Sequence, residues 1–136
     1  MNYFKKLIST GQADKFIFYK IKKNDERVHF LNQRGIKFVT WGRTNKQTEH
    51  AWIDLDNKKS IELLMNKLSN NGHKRIAFIN VHRSFNYGAQ RKAAYESSIK
   101  NLQLQYSNEY YQDSLIETVE SGSAITKYLL LSLIHI

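Results

Sequence analysis

Three times along this chain a helix-like stretch closes on a glycine and is followed, within a few residues, by a short apolar run. Residues 3–9 read as the end of a helix stopped near Gly11, and Lys15-Phe16-Ile17-Phe18-Tyr19 follows as a buried strand. Asn24 or Asp25 can cap a second helix, with Val28 and Leu31 on one face and Gly35 as its left-handed stop. Ile36-Lys37-Phe38-Val39-Thr40-Trp41 is the strand behind it. In the third instance Ile61, Leu64, Met65 and Leu68 fall at i, i+3, i+4 and i+7, an apolar helical stripe that Asp56 caps and Asn70-Asn71-Gly72 ends. Ile76-Ala77-Phe78-Ile79-Asn80 is then the most strand-like run of all. Helices alternating with short apolar strands over short connections predict parallel sheets joined by right-handed crossovers.

The remaining stretches fill in this α/β pattern. Residues 44–49 read as a polar loop and Ala51-Trp52-Ile53-Asp54-Leu55 as a short alternating strand. A helix is expected from about Gly88 to Leu102, with Tyr95, Ile99 and Leu102 on one face, and a last one from Glu120 to Leu130; residues 106–117 are ambiguous. Open parallel sheets bind ligands outside the carboxyl ends of their strands. The functional loops are therefore expected after Tyr19, Trp41, Leu55 and Asn80.

Bulk properties narrow the function classes. A length of 136 residues suffices for a real core, and 41% hydrophobic with 24% charged residues is a globular balance. The net charge of +9 raises nucleic acid as a partner, but the cations are scattered in pairs and triplets such as Lys20, Lys22 and Lys23. No basic block alternates with aromatics as a single-strand binder requires, so a solvated Lys-rich surface is the simpler reading. There is no cysteine, which removes disulfides and thiolate chemistry. No apolar run approaches the ~20 residues that span a bilayer, and no charged leader with an apolar core and cleavage site is visible. A cytoplasmic location without membrane attachment is expected.

Four ordered stretches carry a resemblance to a known family. Asp25 through Val39 resembles a helix, an "RG" turn and a "PFV" strand, with Lys37 in place of Pro. Gly42-Arg43-Thr44 followed by His50-Ala51-Trp52-Ile53-Asp54-Leu55-Asp56-Asn57 is similar to "GRT…HPWVDVDN". Asn71 through Ile79 resembles "LGHRRIAFI", and Ala89-Gln90-Arg91-Lys92-Ala93-Ala94-Tyr95 resembles "ARxxGY", with Ala94 where Gly is usual. A weaker match is Glu120-Ser121-Gly122. In this order and spacing the stretches resemble the effector-sensing domain of LacI/GalR-type transcription regulators.

The resemblance implies a periplasmic-binding-protein-like (type I) α/β fold, with helix-flanked parallel sheets in two lobes, both incomplete. Residues 1–74 are expected to supply the C-terminal part of the N-lobe and residues 75–130 the N-terminal part of the C-lobe. The DNA-binding helix-turn-helix head and the hinge are expected to precede Met1. Residues 131–136 resemble the translation of a sequencing-library adapter and are expected to be a non-native tail. The implied function is sensing a small effector, a sugar or derivative, by a regulator that dimerises and meets operator DNA only through its head. The rival on the same fold is the periplasmic sugar-binding protein of an ABC transporter; a small nucleotide-binding enzyme is a weaker one.

The resemblance also nominates site residues. Arg91 matches the arginine that reaches effector polar groups, against the plainer reading of a surface helix arginine; its guanidinium offers five donors in a fixed fork. Phe85, Asn86 and Tyr87 occupy the strand-to-helix loop where effector contacts cluster, with loop packing as the alternative. Arg43 is a second candidate, equally readable as a salt-bridge former, and Glu117 a third, before the last helix. Asp54 and Asp56 could pass for paired acids, although Asp56 at a helix start reads as a cap. His29, His50, His73 and His82 lack metal-ligand spacing, no glycine-rich phosphate loop is present, and Ser84 lacks a nucleophile-elbow context. No cofactor, no metal and no catalysis are expected.

Overall fold

The computed structural model describes residues 2–45, 50–115 and 117–133. The end of the expected polar loop, residues 46–49, and the last part of the expected tail, residues 134–136, lie outside the described residues, as does Ile116. The chain forms two compact units, Met1–Leu55 and Asp56–Ile136.

The first unit is built on aromatic side chains at alternate strand positions. It comprises α1 (Asn2–Ser9), β1 (Phe16–Phe18), α2 (Glu26–Gln33), β2 (Phe38–Trp41) and β3 (Ala51–Ile53). The strands form a parallel sheet in the order β1-β2-β3, with Phe16 opposite Phe38 and Val39 opposite Ala51. Strand side chains alternate between faces. One face therefore carries Phe16, Phe18, Phe38 and Thr40, and α1 and α2 lay Phe4, Val28 and Leu31 against this aromatic set. The Phe4 ring meets Phe16, Phe18 and Phe30 edge-on, with centroids 5.0, 5.4 and 5.8 Å away, the geometry that the ring quadrupole favours. Of the two candidate caps, Asp25 is the one used: its carboxylate accepts from the Arg27 amide. Gly35, at φ +63°, closes α2 as expected, and the Ile36 amide donates back to the Leu31 carbonyl.

The second unit comprises α3 (Asn57–Asn70), β4 (Phe78–Val81), α4 (Asn86–Asn101), a 3-10 turn (Asn108–Tyr110), β5 (Tyr111–Ser114) and α5 (Val119–Leu133). β4 and β5 pair in parallel, Phe78 opposite Tyr111 and Val81 opposite Ser114. Within the ambiguous stretch 106–117, Asn108–Tyr110 form the 3-10 turn and Tyr111–Ser114 the strand. The core holds Ile61 and Met65 of α3, Ala94, Tyr95 and Ile99 of α4, and Ile76 and Leu104, with Phe78 and Tyr111 packed against it. Tyr95 is fully buried, and its hydroxyl donates to the Ile76 carbonyl at 2.7 Å, so the buried phenol keeps a partner.

One expectation changes. The α3 stripe is narrower than its sequence spacing: Ile61 and Met65 are buried, whereas Leu64 and Leu68 are 60% and 36% exposed. Positions i and i+4 form the seam against α4, and the i+3 row beside it is not covered. α3 packs along α4 and shares its core, and the compact unit that holds both begins at Asp56. Leu131 and Leu133 continue α5 without a break after Leu130.

Candidate functional site

The candidate site of the second unit lies where β4 hands over to α4. Phe85 closes the turn after β4, its amide donating to the His82 carbonyl at 3.1 Å, and Asn86 opens the helix. Gly88 lets the helix seat directly on this turn: a Cβ there would stand 2.7 Å from the His82 oxygen and 2.8 Å from that of Val81. Asn80, buried at the end of β4, donates from its side-chain amide to the Gly88 carbonyl at 2.8 Å. Strand end, turn and first helical turn are thus one fastened piece, a rigid mount for the side chains above it.

Tyr87 and Arg91 are one turn apart on the same face of α4. The Arg91 guanidinium carbon lies 5.2 Å from the centre of the Tyr87 ring, and the Phe85 ring is 5.6 Å from Tyr87 on its own account. The Tyr87 hydroxyl donates to Glu117 Oε1 at 3.3 Å. Burial, then the neighbouring Glu117 carboxylate, push the Tyr87 phenol up to about 12, so it is a neutral donor at any physiological pH. Asn86 is 9% exposed, and its side-chain amide makes no hydrogen bond to another described residue. Phe85, Tyr87, Arg91 and Glu117 therefore come together, and Asn86 lies between the first two along the chain without a side-chain hydrogen bond of its own to them among the described residues.

Arg91 is held at one edge only. Its Nε donates at 2.8 Å to Oδ1 of Asn57, the first residue of α3. Among the described residues no carboxylate pairs with Arg91, and its two terminal nitrogens donate to no protein acceptor. Asn57 is absent from the residues that the sequence nominates. It follows the cap Asp56 and reads as an ordinary helix start, and its role depends on a partner 34 positions away. The motif that Asn57 ends does not tie it to Arg91.

Arg43 belongs to the first unit and is engaged differently. Its Nε donates at 2.9 Å to Asp54 Oδ2, and its guanidinium covers the Trp52 ring at 4.9 Å. The salt-bridge alternative is the arrangement present. Asp54 and Asp56 do not act as a pair, because Asp56 caps α3 through the Lys59 amide at 2.8 Å. Among the described residues no group of three or more His, Asp and Glu could hold a metal ion, and no helix is long and apolar enough to cross a membrane.

No family model matches the chain. It is 29% identical over 89 residues to the HTH-type transcriptional regulator RafR of Escherichia coli, covering 65% of this chain and 26% of that one. A regulatory protein of LacI family from Chloroflexus aggregans superposes over 95% of the chain with a TM-score of 0.78 at 31% identity, using 46% of its own length. The chain matches a partial LacI-family sensing domain. The transcriptional regulator CelR in complex with cellobiose shares the fold, at a TM-score of 0.81 and 21% identity over 95% of this chain and 40% of that one. The fold is accordingly periplasmic-binding-protein-like. The chain spans about a quarter of the curated relative's length and under half of the solved one's.

Proposed function

We propose that this chain is the effector-sensing region of a LacI-type transcription regulator and that its effector is a sugar or sugar derivative. One observation carries the reading: Arg91 is anchored at Nε and stacked on Tyr87, while its terminal donors have no acceptor among the described residues. A cation so fixed is suited to a ligand rich in hydroxyl oxygens. The neutral Tyr87 ring, the Phe85 ring beside it and the Asn86 amide supply an apolar face and further polar groups. The cellobiose complex of CelR, a regulator of the same fold, supports the choice of ligand class.

In the parent protein, effector binding would shift an equilibrium between two states of a cytoplasmic homodimer, and operator DNA would be met by a separate head. The two compact units would supply parts of the two lobes. The relatives named above are transcriptional regulators, which are not enzymes, and the regulator reading is preferred to a transporter's binding protein on that ground.

The test is calorimetric titration of the chain with cellobiose and a panel of other neutral mono- and disaccharides. Saturable binding to one of them is expected, weakened roughly 10- to 100-fold by Arg91→Ala, the loss of one or two charge-assisted hydrogen bonds. Binding that Arg91→Ala leaves intact, or no binding across the panel, overturns the reading.

A further inference from the structure

The proposed sugar site leaves open what aims Arg91, and the answer lies on a different helix. Asn57 is 3% exposed. Its Oδ1 accepts from Arg91 Nε at 2.8 Å, and its Nδ2 donates to Gln90 Oε1 at 3.3 Å. The second bond fixes the first: with the Gln90 oxygen facing Nδ2, the Asn57 amide can present only its carbonyl oxygen to Arg91. The backbone of Asn57 is equally constrained. Asp56 caps α3 immediately before it, and α3 is clamped to α4 through Ile61 and Met65 against Ala94, Tyr95 and Ile99. Gln90 and Arg91 are neighbours on α4, so the three side chains form a closed bracket across two packed helices. The Tyr87 ring covers one face of the guanidinium at 5.2 Å.

The chemistry of the acceptor matters as much as its place. The Asn57 amide oxygen carries no charge and takes only the Nε–H of the fork, so it neither neutralises Arg91 nor occupies its two terminal nitrogens. A carboxylate in the same position would engage Arg91 as a bidentate ion pair, occupying a terminal nitrogen and neutralising the cation. An apolar residue there would release a long side chain into many rotamers.

We propose that Asn57, oriented by Gln90, is the positioning residue that directs the Arg91 fork, and that its neutral acceptor keeps the fork available to ligand hydroxyls. The ligand half of this proposal rests on the sugar-sensing reading above; the positioning half does not.

The experiment observes Arg91 directly, by nitrogen-15 NMR of arginine side-chain Nε–H groups in a dilute solution of the 136-residue chain. The Arg91 signal is identified by its loss in Arg91→Lys. Its exchange with water is expected to be roughly tenfold slower than that of the exposed Arg75 and Arg83. Asn57→Ala should speed that exchange roughly tenfold, and Gln90→Ala should do so by a smaller factor. Asn57→Asp should keep the Nε–H protected while weakening any saccharide-induced shift of Arg91 by about tenfold, a split that a purely structural role does not produce. If Asn57→Ala fails to fold, Gln90→Ala and Asn57→Asp carry the test. Unchanged Arg91 exchange in the folded Ala variants overturns the positioning role. Full saccharide response in Asn57→Asp overturns the requirement for a neutral acceptor. Should no neutral saccharide move Arg91 in the unsubstituted chain while the variants still release its Nε–H, the sugar reading fails and the positioning role stands.

Discussion

Gln103 holds a backbone conformation that its side chain opposes. It follows Leu102, the C-cap of α4, at φ +50°, its amide donates to the Lys100 carbonyl at 3.2 Å, and the Leu104 amide reaches Ile99 at 3.0 Å. The same pair of bonds ends α3 at Gly72, where His73 donates to Leu68. At Gly72 no Cβ is present; at Gln103 the left-handed region costs about 1 kcal/mol. The Gln103 side chain is exposed, so little packing offsets that cost. Gln103→Gly is expected to raise stability by up to about 1 kcal/mol, less the extra entropy that glycine gives the unfolded chain. Urea unfolding would show it as a higher midpoint at unchanged slope; a lower midpoint would mean that the strain is compensated elsewhere. This residue also marks a boundary of what sequence can say. The stops at Gly11, Gly35 and Gly72 announce themselves through glycine, whereas Gln103 is imposed by the packing of Ile99 and Leu104 into the core. Arg91 and Asn57 divide in the same way. Both sit in motifs, but only the Arg91 motif nominates a role; that of Asn57 is visible only once α3 lies against α4.

At the scale of elements, pairing decides what propensity leaves open. Ile76 to Asn80 is mostly apolar and reads as a strand without help, whereas Tyr111-Gln112-Asp113-Ser114 of β5 is half-buried and polar and becomes a strand by pairing with β4. β2 and β3 are tied by a further link that sequence does not show. Thr40 is fully buried, and its hydroxyl donates to the Gly42 carbonyl at 2.7 Å. Its one proton is thereby committed, so the 2.9 Å contact with His50 Nε2 must be a donation from the imidazole to Thr40 Oγ1. The ring stacks on Phe38 with centroids 4.8 Å apart. Burial lowers the His50 pKa from its ordinary 6.5. The neutral ring is therefore the form that the fold prefers, and its contribution is complete above the unfolded pKa. It is lost as pH falls from about 6.5 through the folded value. The melting temperature of the chain is expected to fall over that interval more steeply than that of His50→Gln, which keeps a donor for Thr40 but does not titrate. Parallel curves for the two proteins would exclude His50 as the source.

For the whole molecule, charge and exposed apolar surface pull in opposite directions. Ile17, Val39, Trp41 and Ile53 share the β1-β2-β3 face opposite the aromatic core, as the register places them, and are 83%, 36%, 60% and 66% exposed. Parallel sheets are ordinarily covered on both faces, and a contiguous apolar patch of this kind favours association. The net charge of +9 acts against it by mutual repulsion. Screening decides which prevails, because the Debye length shrinks from about 10 Å at 0.1 M salt to about 3 Å at 1 M. Hydrophobic attraction is not screened, so self-association of the chain is expected to increase with salt. Ile17 stands at the centre of the balance, since its side chain is mostly in water and contributes little to folding. Ile17→Lys should change stability by no more than about 0.5 kcal/mol, while adding a charge to the patch. Sedimentation velocity over a salt series should then show the substituted chain remaining monomeric at concentrations where the unsubstituted chain associates. A chain that is monomeric at every salt concentration, or an Ile17→Lys protein that associates equally, would show that this sheet face does not govern its solution behaviour.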